Sequence, residues 1–141
     1  MISTTHRTRI ALLSCLSFTL IAATSLRAAD RMQTGNWESK ITRNGQTITA
    51  THCVTKEEAS VVNADTKSQR THAEKSLKGA CTIQAYDVTG NTVTYRMDCD
   101  GTLVESTFTY HGDTYEEVTK STSKDKQTRM VKKGRRLGSC S

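Results

Sequence analysis

The sequence predicts a mainly β fold: an antiparallel meander of about seven strands, closed into a barrel or a strongly curved sheet, with one or two short helices between strands 2 and 3. Three observations predict it. Polar and apolar residues alternate in short runs from residue 35 onward, the period of a half-buried strand. Turn-forming groups such as Asn44-Gly45, Thr89-Gly90-Asn91 and His111-Gly112-Asp113 separate these runs at hairpin spacing. Threonine is abundant and proline is absent, which suits the solvated faces of a twisted sheet.

The first hairpin is the best defined. Residues 35–43 and 46–52 flank Asn44-Gly45, the strongest two-residue hairpin signal, and this turn pairs Arg43 with Gln46, Ile41 with Ile48, Ser39 with Ala50 and Trp37 with His52. One face then collects Trp37, Ile41, Ile48 and Ala50, and His52 is expected to be a cross-strand neighbour of Trp37 rather than a ligand. Cys53 falls on the opposite parity, so the strand must end or bulge there if Cys53 is to point into the core.

Thr55-Lys56-Glu57-Glu58 reads as a capping box, with Val54 placed to staple against Ala59, and it starts a helix of about two turns through Val62. Residues 63–78 are polar and of mixed charge: a loop, or a second exposed helix ending at Gly79, for which Thr71-His72-Ala73-Glu74 is a weak cap. Two strands around Thr89-Gly90-Asn91 follow. A three-residue turn sets Cys81 opposite Cys99, Ile83 opposite Met97 and Ala85 opposite Tyr95. Residues 102–110 place Val104, Ser106, Phe108 and Tyr110 on one face, residues 114–121 return, and a final strand carries Thr128, Met130 and Val131.

The N-terminus has a different character. His6, Arg7 and Arg9 precede an uncharged apolar run from Ile10 to Ala23, followed by small residues, the pattern of a secretory signal peptide. Cleavage is expected after Ala28 or Ala29, so residues 1–28 are read as a signal peptide and residues 29–141 as one disulfide-stabilised β domain. The run is too short to read as a membrane span, and no transmembrane segment is expected once the signal is removed. The expected location is the periplasm.

Removing Cys15 leaves Cys53, Cys81, Cys99 and Cys140, an even set in an oxidising compartment, so two disulfides are expected. Zinc is the competing use of these cysteines with His52, His72 and His111, but no Cys-x-x-Cys spacing exists, and neither a metal nor a cofactor is expected. Three connectivities are open. Strand parity sets Cys81 opposite Cys99, and the preferred set is Cys81–Cys99 with Cys53–Cys140, which requires the helical segment to cross over. A segment that simply loops back would favour Cys53–Cys81 with Cys99–Cys140.

Several ordered motifs resemble an exported bacterial family, domain of unknown function 3617. They are Gly35-Asn36-Trp37-Glu38, Cys53-Val54-Thr55-Lys56-Glu57, Gly90-Asn91-Thr92-Val93, Tyr110-His111-Gly112-Asp113 and the closing Gly134-Arg135-Arg136-Leu137-Gly138-Ser139-Cys140. The resemblance runs from about Met32 to Cys140 and implies a small periplasmic β-rich protein with four paired cysteines. It implies no activity, substrate or catalytic residue. The chain lacks the Pro-, Gly- and Met-rich segments that members often carry between these motifs.

The formal charge of +6 is unevenly placed. Between residues 120 and 141 eight lysines and arginines face one acid, Asp125, on an otherwise acidic body. The plainest reading is a solvated edge strand whose lysines discourage sheet-to-sheet pairing, with Arg135 or Arg136 paired to the acidic body. The competing reading is a docking surface formed by Lys126, Arg129, Lys132, Lys133, Arg135 and Arg136 for an anionic envelope component. Nucleic acid is not an expected partner, because export removes it and no stacking platform accompanies the basic run. No Gly-x-Ser-x-Gly elbow, His-Glu-x-x-His pair or phosphate-cradling loop is present, so catalytic residues are not assigned and an enzyme is not expected. The function expected is a non-enzymatic, envelope-associated binding module that holds a small apolar ligand or docks a partner. The alternative is an inhibitor of an envelope-attacking hydrolase such as lysozyme.

Overall fold

Seven antiparallel strands form a single sheet in the computed structural model, which describes residues 30–140. The elements in chain order are β1 (Gly35–Arg43), β2 (Gln46–Val54), α1 (Lys56–Asn63), α2 (Thr66–Leu77), β3 (Thr82–Thr89), β4 (Thr92–Cys99), β5 (Thr102–Tyr110), β6 (Thr114–Ser123) and β7 (Lys126–Gly138). The signal-peptide expectation lies outside the described residues. Among those described, no helix is long and apolar enough to cross a membrane.

The spatial order is β2-β1-β7-β6-β5-β4-β3. Every connection is a hairpin between neighbours except β2 to β3, which α1 and α2 carry. Because β7 returns to pair with β1, the two ends of the chain lie side by side and the meander is almost cyclic. It stays open along one seam: β2 and β3 are the two edges. The sheet is therefore an open one rather than a closed barrel, with the helical crossover linking its edges.

The first hairpin keeps the register that its turn dictates, from Gly35↔Val54 to Arg43↔Gln46, with Asn44 and Gly45 both at positive φ (50° and 78°). β2 runs through Cys53 without ending or bulging, so Cys53 lies on the face opposite the core. The β3–β4 hairpin departs from expectation beyond Met97. It turns on two residues, Gly90-Asn91, with Thr89 opposite Thr92, and a bulge between Ile83 and Ala85 takes up the difference. Ala85 consequently stands opposite Arg96, and Tyr86 replaces it opposite Tyr95. The physical reason is burial: one extra residue reverses parity, so that Ile83, Tyr86 and Val88 all face inward and the smaller Ala85 is left outside.

The basic strand also departs from expectation. β7 is the long interior strand between β1 and β6, not an edge, and it contains all six of the basic residues from Lys126 to Arg136. Its cations are accommodated there because acids stand on both neighbours. Arg135 donates to Glu38 of β1 at 2.9 Å, and Lys133 lies 3.1 Å from Glu116 of β6.

The inner face carries the core: Trp37, Val54, Ala59, Val93, Tyr110 and Tyr115, with Met32, Val62, Tyr86, Val88 and Phe108 packed against them. Six aromatic rings form a continuous row across the sheet, Trp37–Tyr115–Tyr110–Phe108–Tyr95–Tyr86, with successive centroids 5.8 to 6.1 Å apart. Trp37, Tyr110 and Tyr115 of this row are buried together with the aliphatic Val54, Ile83 and Val93.

Both helices start on a side-chain cap. Thr55 and Glu58 form the reciprocal capping box of α1, and Asp65, rather than Thr71, caps α2 by accepting from the Ser68 amide at 2.8 Å. α1 has no basic residue in its last turn. Arg31 fills that role from outside, donating to the Val62 carbonyl at 2.8 Å and to Ala64 O, while buried Gln69 donates to the same two carbonyls. Asn63 and Met32 exchange two hydrogen bonds, and Trp37 Nε1 donates to Gln33 O at 3.0 Å. Residues 31–34 are thus a strap holding the helix junction onto the sheet.

The disulfides join Cys53 to Cys140 and Cys81 to Cys99. Asn36 pairs with both Cys53 and Gly138, which explains how β7 brings Cys140 to the outer side of β2.

Candidate functional site

The helix pair does not cover the whole inner face. Beside α1 the sheet leaves a groove of about 300 Å³, at the low end of the roughly 300–1,000 Å³ typical of small-molecule pockets. Its floor is Trp37, Ser39 and Ile41 from β1, Ala50 and Val54 from β2, and the ring of Tyr115 from β6. These positions share one face because residue parity is unbroken along β1 and β2. A smaller hollow of about 200 Å³ lies on the other side, between α2 (Ala73, Leu77) and Ile83, Tyr86, Tyr95 and Met97.

The polar groups of the larger groove are few and positioned. Lys132 is half-buried, with its ammonium 5.6 Å from the centroid of the Tyr115 ring, a cation–π placement. None of the ion pairs among the described residues involves it. Ser39 Oγ and Tyr115 Oη are hydrogen-bonded at 2.9 Å. At the rim, His52 Nε2 meets Glu58 Oε1 at 2.9 Å. The Thr55 amide and His52 together hold the Glu58 carboxyl below its ordinary value of 4.5.

Gly134 explains how Tyr115 reaches this position. A Cβ at residue 134 would overlap the Tyr115 ring, so the ring lies flat on bare backbone of the neighbouring strand. Deeper on the inner face, Thr119 bridges buried Ser106 (2.7 Å) and donates to buried Glu117 at 3.0 Å. Glu117 is the Cα partner of Lys132 across β6 and β7.

The six basic residues singled out from the sequence do not form one surface. Lys126 and Arg129 lie towards the β6–β7 turn, where Arg129 stands opposite Lys120. Lys133 and Arg135 are on the outer face and are paired with Glu116 and Glu38. Arg136 is part of the frame: its Nε donates to Thr34 O at 2.8 Å, its backbone N–H donates to Asp113 O at 2.8 Å, and its guanidinium is 4.0 Å from the Asp113 carboxylate. Lys132 alone enters the groove.

The closing motif is therefore structural for most of its length. Gly134 seats Tyr115, Arg135 and Arg136 tie β7 to β1 and to the strap, Gly138 faces Gly35 at close approach, and Cys140 closes the longer disulfide. Ser39, Tyr115 and Glu117 belong to no sequence motif that marks them as site residues. A signal for Glu117 existed, since a carboxylate shares the inward parity of Tyr115 and Thr119.

Fold and site together define a small disulfide-bonded protein with one antiparallel sheet, a helix pair on its inner face and an apolar groove beside them. Residues 32–140 match the family described as Protein of unknown function (DUF3617), and the chain belongs to that family. No curated protein and no solved structure matches the chain.

Proposed function

We propose that the protein is an exported, non-enzymatic binding module of the cell envelope, and that its inner-face groove takes a small amphiphile with an apolar tail and an anionic head. The observation that carries this reading is the combination in one groove of an apolar floor, Trp37, Ile41, Ala50 and Tyr115, with the ammonium of Lys132, which joins no ion pair among the described residues. An apolar pocket with one convergent charge fixes both the burial and the orientation of such a ligand. The hydrogen bonds of the groove favour binding over chemistry. The Ser39 hydroxyl is bonded to Tyr115, and His52 to Glu58, so the serine is not coupled to the imidazole as a nucleophile would be. Export is supported by the leader and by two disulfides, which persist in oxidising compartments. Inhibition of an envelope hydrolase has only the small disulfide-bonded body in its favour.

Native mass spectrometry of protein isolated from the periplasmic fraction tests both parts. The expected spectrum has a chain starting at residue 29 or 30, with two disulfides and a bound lipid-like adduct from envelope extract. A chain retaining the leader contradicts export, and a bare chain across all extracts contradicts binding.

A further inference from the structure

The two edges of the sheet are not alike. β3 is guarded in three ways: a bulge between Ile83 and Ala85, a charge at Asp87, and side chains from α2 that occupy its backbone. Arg70 donates to Ile83 O at 3.2 Å, and Thr66 Oγ1 accepts from the Val88 amide at 3.2 Å. β2 has none of these. Its sequence, Gln-Thr-Ile-Thr-Ala-Thr-His-Cys-Val, contains no Lys, Arg, Asp, Glu or Pro, it pairs with β1 without a shift, and every residue but Val54 is exposed. No side chain among the described residues is hydrogen-bonded to its backbone. Long, regular, uncharged edges are what sheet proteins normally avoid, because unpaired N–H and C=O groups template another strand.

We infer that β2 is the surface at which a second copy of this chain adds, antiparallel and edge to edge, joining the two sheets into one. The two-residue Asn44-Gly45 turn makes Arg43 and Gln46 a hydrogen-bonded pair, which turns the backbone groups of Thr47, Thr49 and Thr51 away from β1. A second β2 presents the same groups at the same spacing, and registers that keep inner face against inner face pair threonine with threonine across the junction. No charge on either strand opposes the approach. Ile48, 63% exposed on the inner face, is then covered by inner-face residues of its mate. Antiparallel pairing also brings the hairpin tip of one copy, with Arg43, towards the start of α1 of the other, where Glu57 follows Lys56 and Glu58 is already held by Thr55 and His52. Arg43 and Glu57 have no ion pair within their own chain among the described residues. This complementarity favours a second copy over a foreign strand, and the inference is independent of the groove's ligand.

Sedimentation equilibrium combined with amide exchange tests it. The purified protein is expected to dimerise with concentration, and the Thr47, Thr49 and Thr51 amides to gain protection as it does, while Ile48 and Ala50 are protected throughout. Thr49→Lys, which sets like charges at the junction, is expected to weaken association about tenfold or more without lowering the unfolding midpoint of the monomer. Gln84→Lys on the guarded edge is expected to leave association unchanged. A chain that stays monomeric, a dimer insensitive to Thr49→Lys, or β2 protection that arises only with an extended segment of another protein would each overturn the inference.

Discussion

Gly134 shows how much one residue carries. Its missing Cβ lets Tyr115 lie across β7, which in turn places the ring between Trp37 and Tyr110 in the aromatic row and beneath the Lys132 ammonium. Gly134→Ala is expected to cost about 3 kcal/mol in urea unfolding, at the upper end of ordinary overpacking penalties. Tyr115→Ala in the same chain should remove most of that added cost, because the two residues touch and their effects are not additive. Titration belongs to this scale as well. Arg135 holds the Glu38 carboxyl below its ordinary value of 4.5, and the Thr55 amide does the same for Glu58. Stability from these groups is complete above the ordinary carboxylate value and is lost as pH falls through the depressed ones. Burial raises Tyr86, Tyr95 and Tyr110 above the ordinary 10.0. Their contribution is complete below pH 10 and is lost as pH rises above it. Unfolding midpoints across pH should therefore fall on both the acid and the alkaline side, and a flat acid limb would contradict the Glu38 and Glu58 assignments. Residue-level legibility was uneven: His52 beside Trp37 follows from turn register, whereas Gly134 beneath Tyr115 depends on the contact between β6 and β7 that no local pattern reveals.

Elements with local signals were legible, and elements decided by distant contacts were not. The capping box of α1 is a four-residue pattern whose two hydrogen bonds form as written, with Thr55 accepting from Glu58 at 3.2 Å and Glu58 accepting from the Thr55 amide at 2.8 Å. Thr55→Ala is expected to destabilise the fold by about 1 kcal/mol in chemical unfolding. Because Glu58 also holds His52 at the groove rim, the variant should increase amide exchange at the start of α1 before it affects the sheet. Asp65 does not announce itself as the cap of α2, since the polar stretch around it lacks the apolar period that marks a helix. The β3 bulge was hidden for a related reason: strict alternation and alternation with one inserted residue differ only by which apolar side chains end up together. The position of β7 depends on pairing between chain ends about a hundred residues apart, so its composition suggested an edge while its partners placed it inside.

At the scale of the whole molecule, an open, nearly cyclic meander with a thin apolar face is reinforced by two cross-links, one between β2 and the chain end after β7 and one across the β3–β4 hairpin. Cys53–Cys140 spans 87 positions and Cys81–Cys99 spans 18. Loop-closure entropy assigns about 4.6 kcal/mol to the longer link and about 3.2 kcal/mol to the shorter. Paired Cys→Ser variants should therefore rank in that order by denaturant unfolding. The four-cysteine framework and hairpin order were readable from parity and turn residues. The open seam was not, because closure or opening of a sheet depends on whether its two end strands meet, and here the helix pair intervenes. The same helix pair creates the groove by covering only part of the inner face. Calorimetric titration with laurate and with lauryl alcohol, on the protein and on Lys132→Gln, tests that groove most directly. Saturable one-to-one binding of laurate is predicted, about tenfold or more weaker for the alcohol, with the difference abolished in Lys132→Gln. Absence of binding by either compound, or a preference for laurate that survives the substitution, would contradict the assignment of this groove to an anionic amphiphile.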